Sequence, residues 1–419
     1  MTRFLGILIC GILTALVAGC GGNPAVTQQG MVITATFAGT LQPQAVATKT
    51  GDGAFVPASL QGNVLSLTLP TGTTKYGIAY VCSLLNDEFV LEATTQDATA
   101  LNVSCPGSST SALGLATGSV DASTIPGVTD VRIIGGGFGG SVGGVSGPFS
   151  VGLPNGSDDV AFIATDSIGN AVGVKIARGQ SIPGAVNGGS TVLFGPGDAT
   201  TTQPVTVNNV PAGFLAPKGA FAQYHTANGT AFPLLLGLGI IGQVPNRYPA
   251  LPAAATQSGD FYLYQTTTLN SPPSTQLLGT TLTTTNGGGP VTLTLPAPWS
   301  FAGPAAAVFP TFTFNYSGFS GQPAISQQSL LIWPTGPTPA SRNLLSVIAT
   351  ANFQNGATTL TIPDLTALSG FFAPATSGTQ VSWLADIFGG TAQEFIFSVN
   401  PPANGSISFV ENRGSYIQP

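Results

Sequence analysis

Apolar and polar residues alternate along much of this chain, in short runs broken by proline and glycine. Residues 64–81 alternate, halt at Pro70-Thr71-Gly72 and then resume, which predicts a strand, a turn and a second strand returning antiparallel. Residues 149–164 repeat the phrase, with the break at Pro154-Asn155-Gly156. Looser copies end at Pro211, Pro296 and Pro363. The phrase has a mechanical logic, because proline cannot donate to a strand ladder and glycine accepts the positive φ of a tight turn.

These copies divide the chain into spans of about 31–106, 110–207, 208–300 and 301–412, with linker candidates at 106–111 and near Pro296 and Pro304. The third span is the least regular, since residues 232–241 form a continuous apolar run that reads as a buried strand pair, with an exposed hydrophobic segment for a partner as the alternative. One short helical turn is expected at 363–368. Glycine at 56 residues and proline at 33, with abundant threonine, serine and valine, favour strands and turns over helices. The expected class is all-β, in tandem antiparallel β-sandwich modules.

Charge is scarce. Only 6% of residues are charged, against roughly 25% in ordinary soluble domains, while 43% are apolar, so the composition builds cores. Ten basic residues scattered through a chain of net charge −6 supply no basic stripe, which excludes nucleic acid as a partner.

The first residues carry a different signal. Arg3 precedes an uncharged apolar stretch, Phe4 to Val17, that is shorter than the roughly 20 residues a spanning helix needs and reads as a removed export signal. Its end, Val17-Ala18-Gly19-Cys20, resembles the lipobox of bacterial lipoproteins. That resemblance implies a signal peptide over 1–19, acylation of Cys20 by chains such as palmitate, and a tether over 20–30 that begins Cys20-Gly21-Gly22-Asn23-Pro24. Several acyl chains anchor stably where one does not. Gly21 stands where an aspartate would retain the product at the inner membrane, so the resemblance implies the outer membrane or cell surface.

The strand phrases of the first two spans are similar to the strand-turn-strand unit of prealbumin-like or carboxypeptidase-regulatory-like sandwich modules, with Tyr76 at the place of that family's aromatic residue. Gly51 to Phe55, Tyr76 to Cys82 and Val103 to Pro106 also resemble the N-terminal module of bacterial surface lipoproteins. Both imply Ig-like or prealbumin-like sandwiches, and neither brings an active site. With Cys10 in the signal and Cys20 acylated, Cys82 and Cys105 remain, and an even pair in an exported chain reads as a disulfide.

Candidate chemistry is thin. Gly135-x-Gly137-x-x-Gly140 follows a strand, but the glycine-rich continuation cannot sustain the helix that a dinucleotide site needs, so it reads as a hairpin loop. His225 is the lone histidine and would have to serve every hydrolase triad proposed. Asp386 and Glu394, flanked by Trp383 and Phe395, are the least implausible carboxylate pair for glycoside hydrolysis. Asp158, Asp159, Asp166 and Asn170 could offer oxygen ligands to calcium, although turn formation explains them as well. Trp333 and Trp383 are the aromatic candidates for a sugar or protein ligand, with core packing as the alternative.

No catalytic residue and no cofactor is assigned. The expectation is a lipid-anchored, non-catalytic envelope protein with a structural or binding role, its partners being the membrane and other envelope proteins or polysaccharide. A carbohydrate-binding or adhesive protein is the alternative, and an extracellular hydrolase a more distant one.

Overall fold

The structure is a computed structural model, and it describes residues 30–38, 41–82, 87–105, 112–136, 138–217, 220–234, 247–271, 275–299, 301, 303–314, 324–335, 342–391 and 402–419. The chain is all-β, in antiparallel-rich sheets, with one α-helical turn and three 3-10 turns among the described residues. No described helix is long and apolar enough to cross a membrane.

The first span supplies β1 (Val32–Ala38), β2 (Ala45–Thr50), β3 (Val56–Pro57), β4 (Val64–Thr68), β5 (Lys75–Cys82), β6 (Asp87–Thr94) and β7 (Ala100–Ser104). The second supplies β8 (Leu113–Asp121), β9 (Asp130–Gly135), β10 (Phe138–Ser141), β11 (Ser146–Pro154), β12 (Gly156–Thr165), β13 (Ala171–Ile182), β14 (Gly184–Ala185) and β15 (Val192–Leu193). Then come β16 (Thr201–Asn208), β17 (Ala220–His225), β18 (Ala231–Pro233), β19 (Arg247–Ala250), β20 (Phe261–Leu269), β21 (Gln276–Thr284) and β22 (Val291–Thr294). The last group is β23 (Thr311–Thr313), β24 (Ala324–Pro334), β25 (Arg342–Thr350), the turn α1 (Ala351–Gln354), β26 (Thr359–Thr361), β27 (Gln380–Gly390) and β28 (Gly405–Ile417).

Twelve of these strands form one sheet in the order β18-β17-β20-β21-β28-β27-β24-β25-β6-β5-β2-β3, so strands from the first, third and fourth spans share a single hydrogen-bonded ladder. The small sheets β4-β1-β7, β19-β16-β22 and β23-β26 supply further strands of the same three spans, except for β16, which begins in the second. The second span makes its own pair of sheets, β10-β9-β12-β13 and β11-β8-β14, with β15 added to β8. Four hydrophobic clusters result, each centred on one span. Where one strand serves two clusters, its faces divide them. In β12, Val160, Phe162 and Ala164 belong to one cluster while Ala161 and Ile163 belong to another. The strand β16 lies in the span assigned to the second module, yet it pairs with β19 and β22 of the third.

The repeated phrase is real, but its geometry differs from a hairpin. β4 pairs with β1 in the small sheet, whereas β5 pairs with β2 and β6 in the large one. β11 and β12 likewise lie in different sheets. Each phrase is therefore a corner that carries the chain across the core from one sheet to the other. The residue before proline explains this: Leu69, Leu153, Leu295 and Ile362 are all fully buried, plugging the core while the pre-proline bias keeps the backbone extended. Val210 before Pro211 is the exception and stays exposed.

The expected helical turn at 363–368 is replaced by simple turns, because the Asp364 carboxylate accepts from the Thr366 amide and hydroxyl and competes with helical bonding. The one α-turn is α1, capped by the Thr350 hydroxyl accepting from the Phe353 amide.

Strand glycines have a packing role that composition alone conceals. Phe149 faces Gly118, Phe409 faces Gly279 and Trp383 faces Gly414 across adjacent strands. In each pair a Cβ on the glycine would overlap the ring. The outer strands of the large sheet, β3 and β18, each end in proline, which leaves fewer edge amides free to recruit another strand.

The corner account predicts that Leu153→Ala lowers stability by about 2–5 kcal/mol, while Val210→Ala changes it by less than about 0.5 kcal/mol. Chemical denaturation followed by circular dichroism measures both, and equal effects would contradict the account.

Candidate functional site

Cys82, at the end of β5 in the large sheet, is bonded to Cys105, just past β7 in the small sheet, so the disulfide ties the two layers of the first sandwich. Cys20, Glu394 and Phe395 lie outside the described residues. The glycine-rich run at 135–140 joins β9 to β10 as a hairpin with an antiparallel register, and Gly137 lies outside the described residues.

Trp333 and Trp383 are both core residues. Trp383 lies against Phe301, Phe312 and Gly414, and Trp333 packs in the same cluster. At 7% and 8% exposure neither presents a ring face wide enough for a sugar. The apolar run at 232–241 is described only to Leu234, and Phe232 and Leu234 are buried. Of the aromatic run near 309–316, Phe312 and Phe314 are buried and residues 315 and 316 lie outside the described residues.

Asp386 of β27 stands directly opposite Glu411 of β28 and Gln328 of β24. Burial, and then the charge of Glu411, holds the Asp386 carboxyl well above the usual range against the pull of Arg413. Glu411 itself pairs with Arg413 at 2.8 Å. His225, at the end of β17, stacks on Phe261 with ring centroids 4.6 Å apart, and Nε2 lies 3.2 Å from the Gln223 side-chain oxygen. Burial lowers its pKa to about 4, so it is neutral near pH 7.

The calcium candidates do not converge. Asp158 and Asp159 open β12, whereas Asp166 follows its far end, roughly 25 Å away at the rise of a strand. No group of three or more His, Cys, Asp or Glu side chains placed to hold a metal occurs among the described residues.

Asp158 and Asp159 instead belong to a clasp between the second and third sandwiches. Arg178 of β13 donates to Asp159 Oδ2 at 3.1 Å, to Asp260 Oδ1 and Oδ2 at 3.2 and 2.6 Å, and to the Ala255 carbonyl at 2.8 Å. Asp260, at the head of β20, also accepts from the Tyr224 hydroxyl at 2.6 Å and from the amides of Ala227 and Gln257. Asp159 accepts from the Gly179 amide at 2.8 Å and from Asn228 at 3.0 Å, and Thr230 donates to Asp158. Burial would raise the Asp159 pKa, but these bonds outweigh it and hold the carboxylate below its ordinary value. The two ion pairs are nearly dry, with both aspartates 2% exposed in their side chains.

At the far end of β12 from the clasp, between the same two sandwiches, lies a cleft of about 470 Å3. Its walls come from the turn after β8 (Ile125, Pro126), the β12-β13 turn (Asp166, Asn170), the start of β13, the entry to β16 (Thr200, Thr202) and β19 (Arg247 to Pro249). Thr202 and Pro249 are cross-strand partners, and the Thr200 amide and hydroxyl bond to the carbonyls of Val172 and Ala171. These bonds join the β13, β16 and β19 walls to one another. Asp166 is fixed by the amides of Ile168 and Asn170 at 3.0 and 2.9 Å and by the Asn170 side-chain amide at 3.1 Å. Arg247 is exposed at the rim.

A second cavity, of about 20 Å3, holds at most about one water and lies against Glu88, Trp333 and Tyr416. Glu88 accepts from the Phe372 amide at 3.0 Å, and its burial outweighs that bond and raises the pKa to about 7. By size, the larger cleft is the candidate ligand site. Sequence reading named Asp166 and Asn170 in it but not Arg247. The available signal was scarcity: in a chain with ten basic residues, each one is informative.

Arg178→Ala is expected to destabilise the protein by about 3–5 kcal/mol, because it leaves buried carboxylates uncompensated. Lys175→Ala breaks a more exposed pair with Asp198 and should cost less than about 1 kcal/mol; calorimetric melting compares the two. Between the ordinary carboxyl pKa of 4.5 and about 7, folded Glu88 keeps a proton that the unfolded chain has released. Its contribution to stability is therefore full below that window and lost as pH rises through it. Glu88→Gln should flatten that part of the pH-stability curve, and an unchanged slope would refute the assignment.

No family model and no curated protein matches the chain. Among solved structures, the TIE protein of Bacillus anthracis is similar at 8% identity with a TM-score of 0.15, over 64% of this chain and 50% of that one. The match spans half the length of that structure, and likeness at this level carries no argument about function.

Proposed function

We propose that this chain is an exported, lipid-anchored envelope protein with a structural or binding role at the cell surface, and that it performs no catalysis. Cys20 would hold one end in the membrane, the short segment after it would give reach, and the sandwiches would present a fixed surface to other envelope components. The observation that carries the reading is the twelve-stranded sheet, which makes three sandwiches one stiff platform. A disulfide between Cys82 and Cys105 is in keeping with an oxidising compartment. Scarce charge favours contact with partners, since few charged groups must be desolvated. Polysaccharide recognition through Trp333 and Trp383 is not favoured, because both rings are committed to the core.

Mass spectrometry of the N-terminal peptide from the native envelope tests the anchor. The expected result is an acylated Cys20 as the first residue, with Cys20→Ala moving the protein out of the membrane fraction. An unmodified residue 20 in the membrane fraction would overturn it.

A further inference from the structure

We propose that the cleft between the second and third sandwiches binds a small zwitterion, an α-amino acid or dipeptide, with its ammonium at Asp166 and its carboxylate at Arg247. This rests on the binding half of the proposed function and names the ligand class for it.

Lys49, Lys75, Lys175, Arg178 and Arg413 each have a carboxylate partner within 4.0 Å. Arg132, Arg247 and Arg342 form no such pair among the described residues, and of these three Arg247 lines the cleft, together with Asp166, which forms none either. The two also do not pair with each other, so a cation and an anion stand apart across one cleft. A simple anion would satisfy Arg247 but be repelled by Asp166, and a simple cation would meet the reverse. A molecule carrying both charges compensates both at once.

The Asp166 carboxylate is held by three N–H donors, two on Oδ1 and one on Oδ2, so Oδ2 retains room for an incoming ammonium proton. Arg247 offers the planar fork suited to a carboxylate. Ile125, Pro126, Val172 and Pro249 give the cleft apolar walls, which suit an aliphatic side chain. The volume of about 470 Å3 accommodates one amino acid or a dipeptide and leaves no room for a folded partner.

Isothermal titration of the full chain with leucine and Leu-Leu, beside N-acetyl-leucine, leucinamide and glucose, tests the proposal. Leucine or Leu-Leu should bind with a Kd below about 1 mM. N-acetyl-leucine and leucinamide should each bind about tenfold more weakly, the effect of losing one charge-assisted contact. Arg247→Gln should bind leucine and leucinamide alike, and Asp166→Asn should bind leucine and N-acetyl-leucine alike. Arg247 sits exposed on an outer strand, so its variant reports on binding even if the Asp166 variant alters the turn. No binding of any zwitterion, binding of either singly charged analogue to the unaltered chain as tight as that of leucine, or unchanged discrimination in Arg247→Gln would each overturn the proposal. The mass of the N-terminal peptide, read on the same preparation, separates failure of this site from failure of the anchor.

Discussion

The arrangement depends on one seam, the parallel pairing of β6 with β25. Leu344 to Ala349 lie beside Asp87 to Glu92, and their alternate residues feed two cores: Val347 and Val90 on one face, Ile348 and Leu91 on the other. A seam between strands so far apart in sequence must offset a large loop-closure cost, although that cost grows only slowly with length. It is reinforced at its end, where Asp97 accepts from Thr350 and Asn352 at 2.6 Å each, the threonine lying 253 residues away. Among the described strands the first span joins the ladder of the large sheet through this pairing, which helps to set its position relative to the rest.

Alternating strands were legible in the sequence, and so were the all-β class, the corner phrase and the cysteine pair. The strands that join modules were not. β5, β6 and β12 are buried on both faces, which blurs alternation into apolar runs and gives no sign of the partner strand. β6 is the hardest case, because Asp87, Glu88 and Glu92 suggest a solvent face while the structure buries all three. The corner resembles a hairpin in sequence for a related reason: Leu-Pro-x-Gly specifies a turn, but whether the next strand returns to the same sheet depends on which core the buried leucine enters.

The candidate site was legible only in part. Asp166 and Asn170 were noted together, and the structure keeps them together as a turn. Asp158 and Asp159 are close to them in sequence, but the ten-residue strand β12 carries them to its opposite end. Arg178 and Asp260, 82 residues apart, meet only because the second and third sandwiches pack. That packing creates the clasp at one end of β12 and the cleft at the other, so the charges that matter gather where modules join.

Hydrogen exchange across the β6-β25 seam tests the single-platform account most directly. The account predicts that amides of Val90 to Glu92 and Leu345 to Ala349 exchange only when the flanking sandwiches also unfold. Rapid exchange at the seam, while β1 and β28 remain protected, would show that the modules are merely tethered and would contradict it.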